Sequence, residues 1–318
     1  MARFLVTGGA GFIGSNLVDA LLANGDSVRV LDDFSSGYEE NLSHVFDRVE
    51  ILRGDVADPK ICVRAVQGCD YVLHEAALAS VPASVEDPVK NHRINVDGTL
   101  ALLLASRDAG VKRFVLASSA ATYGDGPESP KIETMPPAPV SPYASAKLIG
   151  EVYCRQFTAA GWLDCVCLRY FNIFGPRQDP GSDYAAVVPI FIRTLLDGRR
   201  PVIYGDGEQT RDFTYVANVV EANLLATQHD SAVGGVFNIG CGGSYSVREL
   251  HEKIRDALGV DIEPRFEPVR AGDVKDSKAS IEAAREGLGY EPVVSFADGL
   301  ARTCEWFRKE HAAEGARR

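Results

Sequence analysis

Residues 3–25, RFLVTGGAGFIGSNLVDALLANG, constrain the fold of this chain more than any other stretch. A short apolar run, RFLVTG (3–8), leads into glycines at 8, 11 and 14. An apolar-periodic segment, FIGSNLVDALLANG (12–25), follows and stops at Asn24-Gly25, a pair suited to a helix end. Strand, glycine turn and helix in that order let the backbone approach a pyrophosphate and turn the free N–H groups of a helix start toward it. A glycine triplet alone is a weak signal; the strand before it and the helix after it give it meaning.

The alternation continues. SVRVLD (27–32), VEILRGD (49–55), YVLHEAA (71–77), RFVLASS (113–119) and DCVCLRY (164–170) read as strands, with helical stretches between them, notably 97–109 and 143–160. Apolar strands alternating with helices predict a parallel sheet covered on both faces. Right-handed crossovers make it doubly wound, an α/β fold of the Rossmann type. After residue 171 the loops lengthen and gain Gly and Pro, as in FGPRQDPGSDY (174–184) and YGDGEQTRDF (204–213). Helices are expected at 187–197, 215–229, 246–258 and 279–287, and GVFNIG (235–240) is expected to return a strand to the main sheet. The predicted organisation is a cofactor domain over 1–170 and a smaller, partly interleaved substrate domain over 171–318. The tail KEHAAEGARR is expected to fray.

Charge and cysteine usage narrow the function. The chain has 44 acidic and 33 basic residues, a net charge of −11. That disfavours nucleic acid or an anionic membrane as partner, while a few local cations could still hold a small anionic substrate. Seven cysteines show no CxxC spacing and six histidines no HxH or HExxH, so no metal site is expected. Cys165 and Cys167 read as strand core and His74 as a satisfied buried histidine. Unpaired thiols, with no leader or membrane-length apolar run in view, place the protein in the cytoplasm.

Asp32 ends the second strand, 18 residues beyond Gly14. A carboxylate there accepts from the adenosine ribose hydroxyls and would repel a 2′-phosphate, which favours NAD over NADP. Asp55, at the end of the third strand, could face the adenine or be a polar loop residue. In SPYASAK (141–147), Ser141 suits a helix N-cap and Pro142 the first helical position. Tyr143 and Lys147 then lie one turn apart on one face. A phenol beside an ammonium, near the positive end of a helix, is expected to ionise more easily than a free phenol. By itself the stretch also reads as an ordinary helix start with an incidental lysine. LASSAATYG puts Ser118 and Ser119 at the carboxyl end of the fifth strand, where ligands of such sheets bind. Serine, Tyr-x-x-x-Lys and an upstream dinucleotide loop together form a specific pattern.

Through TGGAGFIG, SSAATYG, SPYASAK and RYFNIFGPRQDP, and over essentially its whole length, the chain resembles the extended short-chain dehydrogenase/reductase family. Within it the likeness is to the nucleotide-sugar 4-epimerases. The resemblance implies a catalytic set of Ser119, Tyr143 and Lys147. Tyr143, as phenolate, would take the proton of the sugar 4-hydroxyl. Lys147 would hold the nicotinamide ribose and depress the Tyr143 pKa, and Ser119 would hydrogen-bond the same sugar oxygen. Carbon 4 would be oxidised to a ketone and reduced again on its other face, leaving NAD bound between turnovers. The resemblance implies NAD contacts at Gly8, Gly11, Phe12, Ile13, Gly14 and Asp32. Further contacts are implied at Asp55, Val56, Ala76 and Ala77, and at Asn95, Ser118, Tyr143, Lys147 and Tyr170.

Substrate contacts are implied at Ser80, Ser119, Tyr143 and Val187. Asn172 would meet the diphosphate, Arg211 and Arg270 would grip phosphate, Asp273 would accept from the uridine ribose, and Tyr204 would pack near the uracil. Ser277 stands where a bulky tyrosine restricts relatives to glucose and galactose, so it leaves room for an N-acetyl group. The implied reaction is interconversion of UDP-N-acetylglucosamine and UDP-N-acetylgalactosamine, with UDP-glucose/UDP-galactose also accepted. Ala120, Ala121 and Thr122 follow Ser119 where the family's dehydratases and decarboxylases carry carboxylates, which disfavours those reactions. A UDP-glucuronate 4-epimerase stays open, its carboxylate held by Ser80, Ser84 or Thr122. From another class, a catalytically idle NAD-binding scaffold also stays open. The resemblance further implies a homodimer built on helices 97–109 and 143–160.

Overall fold

The computed structural model describes residues 1–181, 186–269 and 276–317. Seven strands, β1 (Arg3–Thr7), β2 (Ser27–Asp32), β3 (Val49–Arg53), β4 (Tyr71–His74), β5 (Arg113–Ser119), β6 (Cys165–Tyr170) and β7 (Val236–Ile239), form one sheet. Its order is β7-β6-β5-β4-β1-β2-β3, and every neighbouring pair is parallel. The winding direction reverses between β1 and β4, so the ligand crevice of such a sheet opens beyond the carboxyl ends of these two strands. β1, β3 and β4 end one to three residues earlier than their apolar runs, because Gly8, Gly54-Asp55 and Glu75–Ala77 turn away as crevice loops.

Alternation within each strand assigns residues to two layers. Phe4, Val6, Val30, Leu73, Val115, Val166 and Leu168 pack on one face, against α1 (Phe12–Ala23). Leu5, Leu31, Val72, Phe114 and Leu116 pack on the other, against α2 (Pro59–Val66), α3 (Gly98–Ala109) and α4 (Pro142–Ala159). Cys165 and Cys167, both 1% exposed, are strand core in this second layer, as alternation in an apolar run demands. α4 starts as its sequence predicts: the Ser141 hydroxyl accepts from Ala144 N–H at 3.2 Å and Pro142 occupies the first turn.

A second core lies outside the sheet. α5 (Val187–Leu196), α7 (Val247–Leu258) and α8 (Phe296–Arg317) enclose Phe174, Phe191, Phe213 and Phe296. Between them the chain returns to the sheet: α6 (Val216–Gln228) joins the α1 layer through Val219, Ala222 and Ala226, and β7 pairs with β6. The tail does not fray as expected; α8 runs to Arg317. Phe296, Leu300, Cys304 and Phe307 present one apolar face to the second core. Past that face, Glu314 takes a forked pair of hydrogen bonds from Arg193 (3.1 and 2.7 Å), and His311 reaches Asp197 at 3.0 Å. These cross-helix contacts hold the polar turns that sequence periodicity reads as loose.

Candidate active site

The glycine loop is built by close packing. A Cβ at Gly14 would lie 2.1 Å from the Gly8 carbonyl oxygen, and one at Gly8, whose φ is +66°, 2.8 Å from the Ala76 nitrogen. No side chain caps α1, and its first turn carries no acidic residue. Its first intrahelical bond is Ser15 N–H to Gly11 O at 3.0 Å, so the N–H groups of Phe12, Ile13 and Gly14 project from the helix end. Asp32 braces this loop: one carboxyl oxygen accepts from Ala10 N–H at 2.9 Å and the other from Phe34 N–H at 2.8 Å. Burial raises its pKa while these two bonds oppose the rise. Each oxygen keeps a second lone pair for a ribose hydroxyl. A positive helix end facing a bare glycine turn, with a carboxylate at the next strand end, fits a dinucleotide.

Other residues expected at the cofactor also make contacts within the chain. Asp55 accepts from Ala57 N–H and Arg93, both at 2.8 Å, bonds that hold the loop after β3. Val56 is buried and would be met by any side chain at position 98. Ala76, with Ala77 beside it in the crevice loop, donates its N–H to the Thr7 hydroxyl at 3.2 Å. Asn95 is buried and holds that loop in place: its amide accepts from Leu78 N–H at 2.8 Å and donates to Leu78 O at 3.1 Å. The Ser118 side chain turns away from the crevice and donates to Glu151 at 2.5 Å, joining the buried Glu151–Arg169 pair (2.9 and 2.7 Å).

The three expected catalytic side chains converge on the end of β5. The Lys147 ammonium, 7% exposed, donates to the Ala117 carbonyl at 2.7 Å, two residues before Ser119. It lies 5.8 Å from the centre of the Tyr143 ring. Ser119 is the register partner of Tyr170 on β6, and its hydroxyl caps the turn that follows by accepting from Ala121 N–H at 3.1 Å. Tyr143 N–H is anchored by the Ser84 hydroxyl at 3.1 Å.

The expected easy ionisation of Tyr143 does not hold for the chain alone. Burial pushes the phenol above its usual value and the Glu75 charge adds to the rise, while a hydrogen bond with Ser119 opposes it. The physical reason is desolvation, which penalises the charged phenolate; the same burial pushes Lys147 down to about 8.

All three hydroxyls considered for a uronate carboxylate make hydrogen bonds within the chain. Ser84 and Thr122 are fully buried, their hydroxyls donating to the carbonyls of Val81 (2.6 Å) and Ser119 (2.9 Å). Ser80 caps the helix Val81–Glu86, accepting from Ala83 N–H at 3.1 Å.

A cavity of about 1050 Å³ opens on the side of the second core, bounded by Asn172, Val187, Tyr204 and Arg211 among others, and Ser119, Tyr143 and Lys147 are not part of its wall. Arg199, Arg200 and Arg265 also border it, a cationic wall in an acidic chain. Asn172, two residues past Tyr170, links the cavity to the β6 end; its φ is +38°, and its amide donates to Asp212 O at 3.2 Å. Ser277 does not border the cavity but pairs in register with Arg211. Arg270 and Asp273 lie outside the described residues.

Sequence reasoning passed over Glu75, the Glu151–Arg169 pair and Asp212. Asp212 is fully buried and accepts from the N–H groups of Cys241, Gly242 and Ala279 at 3.0, 2.9 and 3.3 Å. The available signal was polarity inside apolar runs, as at Arg169 in DCVCLRY.

Comparison with known proteins agrees with this geometry. The chain is 45% identical over 313 residues to a UDP-glucose 4-epimerase of Mycolicibacterium smegmatis, covering 97% of this chain and 99% of that one. It superposes on a UDP-N-acetylglucosamine 4-epimerase from Methanobrevibacter ruminantium, solved in complex with UDP-N-acetylmuramic acid. The TM-score is 0.93 and identity 41%, covering 97% of this chain and 99% of that chain. A UDP-glucose 4-epimerase from Thermus thermophilus in complex with NAD gives a TM-score of 0.87 at 40% identity, covering 96% and 99%. The profile described as the NAD dependent epimerase/dehydratase family matches residues 4–240. With its glycine cradle, its strand-end serine and its Tyr-x-x-x-Lys helix in place, the chain belongs to the NAD dependent epimerase/dehydratase family.

Proposed function

We propose that the chain inverts carbon 4 of a UDP-hexose, with NAD held over the β1–α1 turn. The observation that carries this is the convergence of Tyr143, Lys147 and Ser119 at the end of β5, with Asn172, two residues past the end of β6, bordering a cavity that four arginines line. Bound NAD supplies reversible oxidising power at the sugar carbon. The Tyr143 oxygen takes the 4-hydroxyl proton and returns it when the ketone is reduced on its other face. Ser119 is the chain's own group that opposes the rise in the Tyr143 pKa, and the charge of the Lys147 ammonium, 5.8 Å from the ring centre, would favour the phenolate.

The two cores divide the work. Residues 1–170, with the returning strand and α6, hold the cofactor; most of 171–318 holds the nucleotide. Arg211 and its neighbouring arginines suit a diphosphate, since a guanidinium fork matches phosphate oxygens. We assign Arg270 and Asp273 to phosphate and ribose from their sequence positions alone. The small Ser277 beside Arg211 favours an N-acetylated sugar. We therefore favour UDP-N-acetylglucosamine/UDP-N-acetylgalactosamine, with UDP-glucose/UDP-galactose as a second pair. The burial of Ser84 and Thr122 weighs against a uronate. Exposed Leu104 on α3 and Val152 on α4 suit pairing with a second copy across these helices. Seven free thiols, six of them buried, suit a cytoplasmic protein.

The test is a panel of UDP-glucose, UDP-N-acetylglucosamine and UDP-glucuronate with purified protein, following formation of each 4-epimer. Turnover of UDP-N-acetylglucosamine is expected. No 4-epimer from any of the three, with NAD bound, would refute the reading and favour the idle scaffold.

A further inference from the structure

Glu75 follows β4 directly, at the point where the winding of the sheet reverses, and its carboxyl faces the centre of the site. One of its oxygens accepts from the Tyr170 hydroxyl at 2.7 Å, and that hydroxyl accepts in turn from the Asn223 amide at 2.8 Å. Asn223 is fully buried on α6 and also donates to Val219 O at 2.9 Å, so the chain of bonds is anchored in the layer beneath the sheet. Tyr170 is the register partner of Ser119. The Glu75 backbone is held from the opposite side, its N–H donating to Thr7 O at 3.2 Å. His74 pairs in register with Leu116, so Glu75 stands beside Ala117 at the strand ends, and it is the Ala117 carbonyl that accepts from the Lys147 ammonium at 2.7 Å.

We propose that Glu75 is a positioning residue acting through Lys147: it is the fixed counter-charge that keeps the Lys147 ammonium protonated inside the cofactor crevice. A lysine removed from water tends to lose its proton, and a neutral amine would neither grip ribose hydroxyls as a cation nor favour a phenolate. The direct partner of Lys147 is a neutral carbonyl, Ala117 O, which cannot supply the missing charge.

The other groups facing Glu75 do not supply it either. Tyr170 and Tyr143 are held as neutral phenols by burial. His74, on Glu75's own strand, is buried and neutral between the hydroxyls of Thr7 and Thr99. Glu151, one turn beyond Lys147 on α4, is itself paired with the Arg169 guanidinium. Burial pushes Lys147 down and Glu75 up, and each charge opposes the shift of the other. The inference rests on Lys147 belonging to the cofactor crevice. Because it concerns the ligand-free chain, its failure is distinguishable from failure of the substrate assignment.

The experiment titrates ¹³C-labelled lysine side chains by NMR in the ligand-free protein, with Lys147 assigned by its absence in Lys147→Met. Glu75→Gln keeps an acceptor for Tyr170 and removes the charge. The Lys147 midpoint is expected to fall by a unit or more in Glu75→Gln, and the alkaline limb of the turnover pH profile should move down with it. Linkage requires the reciprocal effect: in Lys147→Met the Glu75 carboxyl, followed by ¹³C-labelled glutamate, should lose its proton at higher pH. The second variant decides the matter even if Glu75→Gln does not fold. A purely structural Glu75 predicts that neither midpoint moves, and that result would overturn the proposal.

Discussion

Gly14→Ala tests the cofactor cradle most directly. The added carbon would stand 2.1 Å from the Gly8 oxygen and 2.8 Å from both the Gly8 carbonyl carbon and the Gly9 Cα. Ordinary contact begins at about 3.4 Å, and every atom met is backbone, so no side chain can rotate away. The start of α1 must retreat from the loop by about 1.3 Å, the gap between those two distances. A retreat of that size stretches a hydrogen bond of about 2.9 Å beyond about 4 Å, where it no longer counts as one. Losing two charge-assisted bonds from helix N–H groups to a pyrophosphate, at about 1.5–3 kcal/mol each, costs about 3–6 kcal/mol of NAD affinity. That is a weakening of about 10²- to 10⁴-fold. Calorimetric titration of NAD into cofactor-stripped protein measures it, and the ratio of absorbance at 260 to 280 nm reports how much cofactor survives purification. Gly25→Ala is the control. Gly25 has φ +83° and nothing within 4 Å, so its cost is about 1–2 kcal/mol of stability with unchanged affinity. If Gly14→Ala binds NAD within threefold of the native chain, the cradle reasoning is wrong.

Tyr143→Phe should cut epimerisation by about 10³-fold or more while NAD still binds, since a positioned proton acceptor contributes about 10²–10⁴-fold; near-normal turnover would remove Tyr143 from its role. Ser277→Tyr should leave UDP-glucose turnover nearly intact and abolish that of UDP-N-acetylglucosamine; equal effects on both sugars would dismiss the gate. Glu151→Leu strands the Arg169 guanidinium, 4% exposed, and should cost about 3–5 kcal/mol in urea unfolding. Adding Arg169→Met should recover most of that loss, and no recovery would refute the buried-pair reading. His74 gives a pH signature. The Thr99 hydroxyl donates to Asn95 O at 2.7 Å, so it must accept from His74 Nε2–H, and Nδ1 accepts from Thr7. Burial pushes His74 down to about 3. The folded value lies below the unfolded one, near 6.5, so this stabilisation is present above about pH 6.5 and is lost as pH falls toward 3. Between pH 6 and 5 the native chain should lose about 1 kcal/mol more stability than His74→Gln; equal losses would show that His74 protonates freely in the fold.

The parts of the site that were legible in the sequence are local ones. The Gly8–Gly14 loop and the SPYASAK helix start each carry their geometry within a few residues, so composition and spacing reveal them. The strands were legible for the same reason: β5 and β6 are buried on both faces and are therefore written as largely apolar runs without strict alternation. The ionisation state of Tyr143 was not legible. It depends on burial and on Glu75, 68 positions away in sequence. The fate of Ser118 was hidden similarly, because Glu151 and Arg169 come from two later elements. The end of α8 depended on Arg193 and Asp197, more than a hundred residues upstream.

By itself the sequence determined the doubly wound topology, the dinucleotide turn and the pairing of Tyr143 with Lys147 on one helical face. Each follows from backbone sterics and side-chain periodicity, which act over a single turn or strand. Only the tertiary structure decided which hydroxyls remain accessible, which carboxylates sit inside, and what charge the reacting groups carry. Solvation and Coulomb energy depend on neighbours in space, and the sheet gathers those neighbours from the ends of four strands distant in sequence.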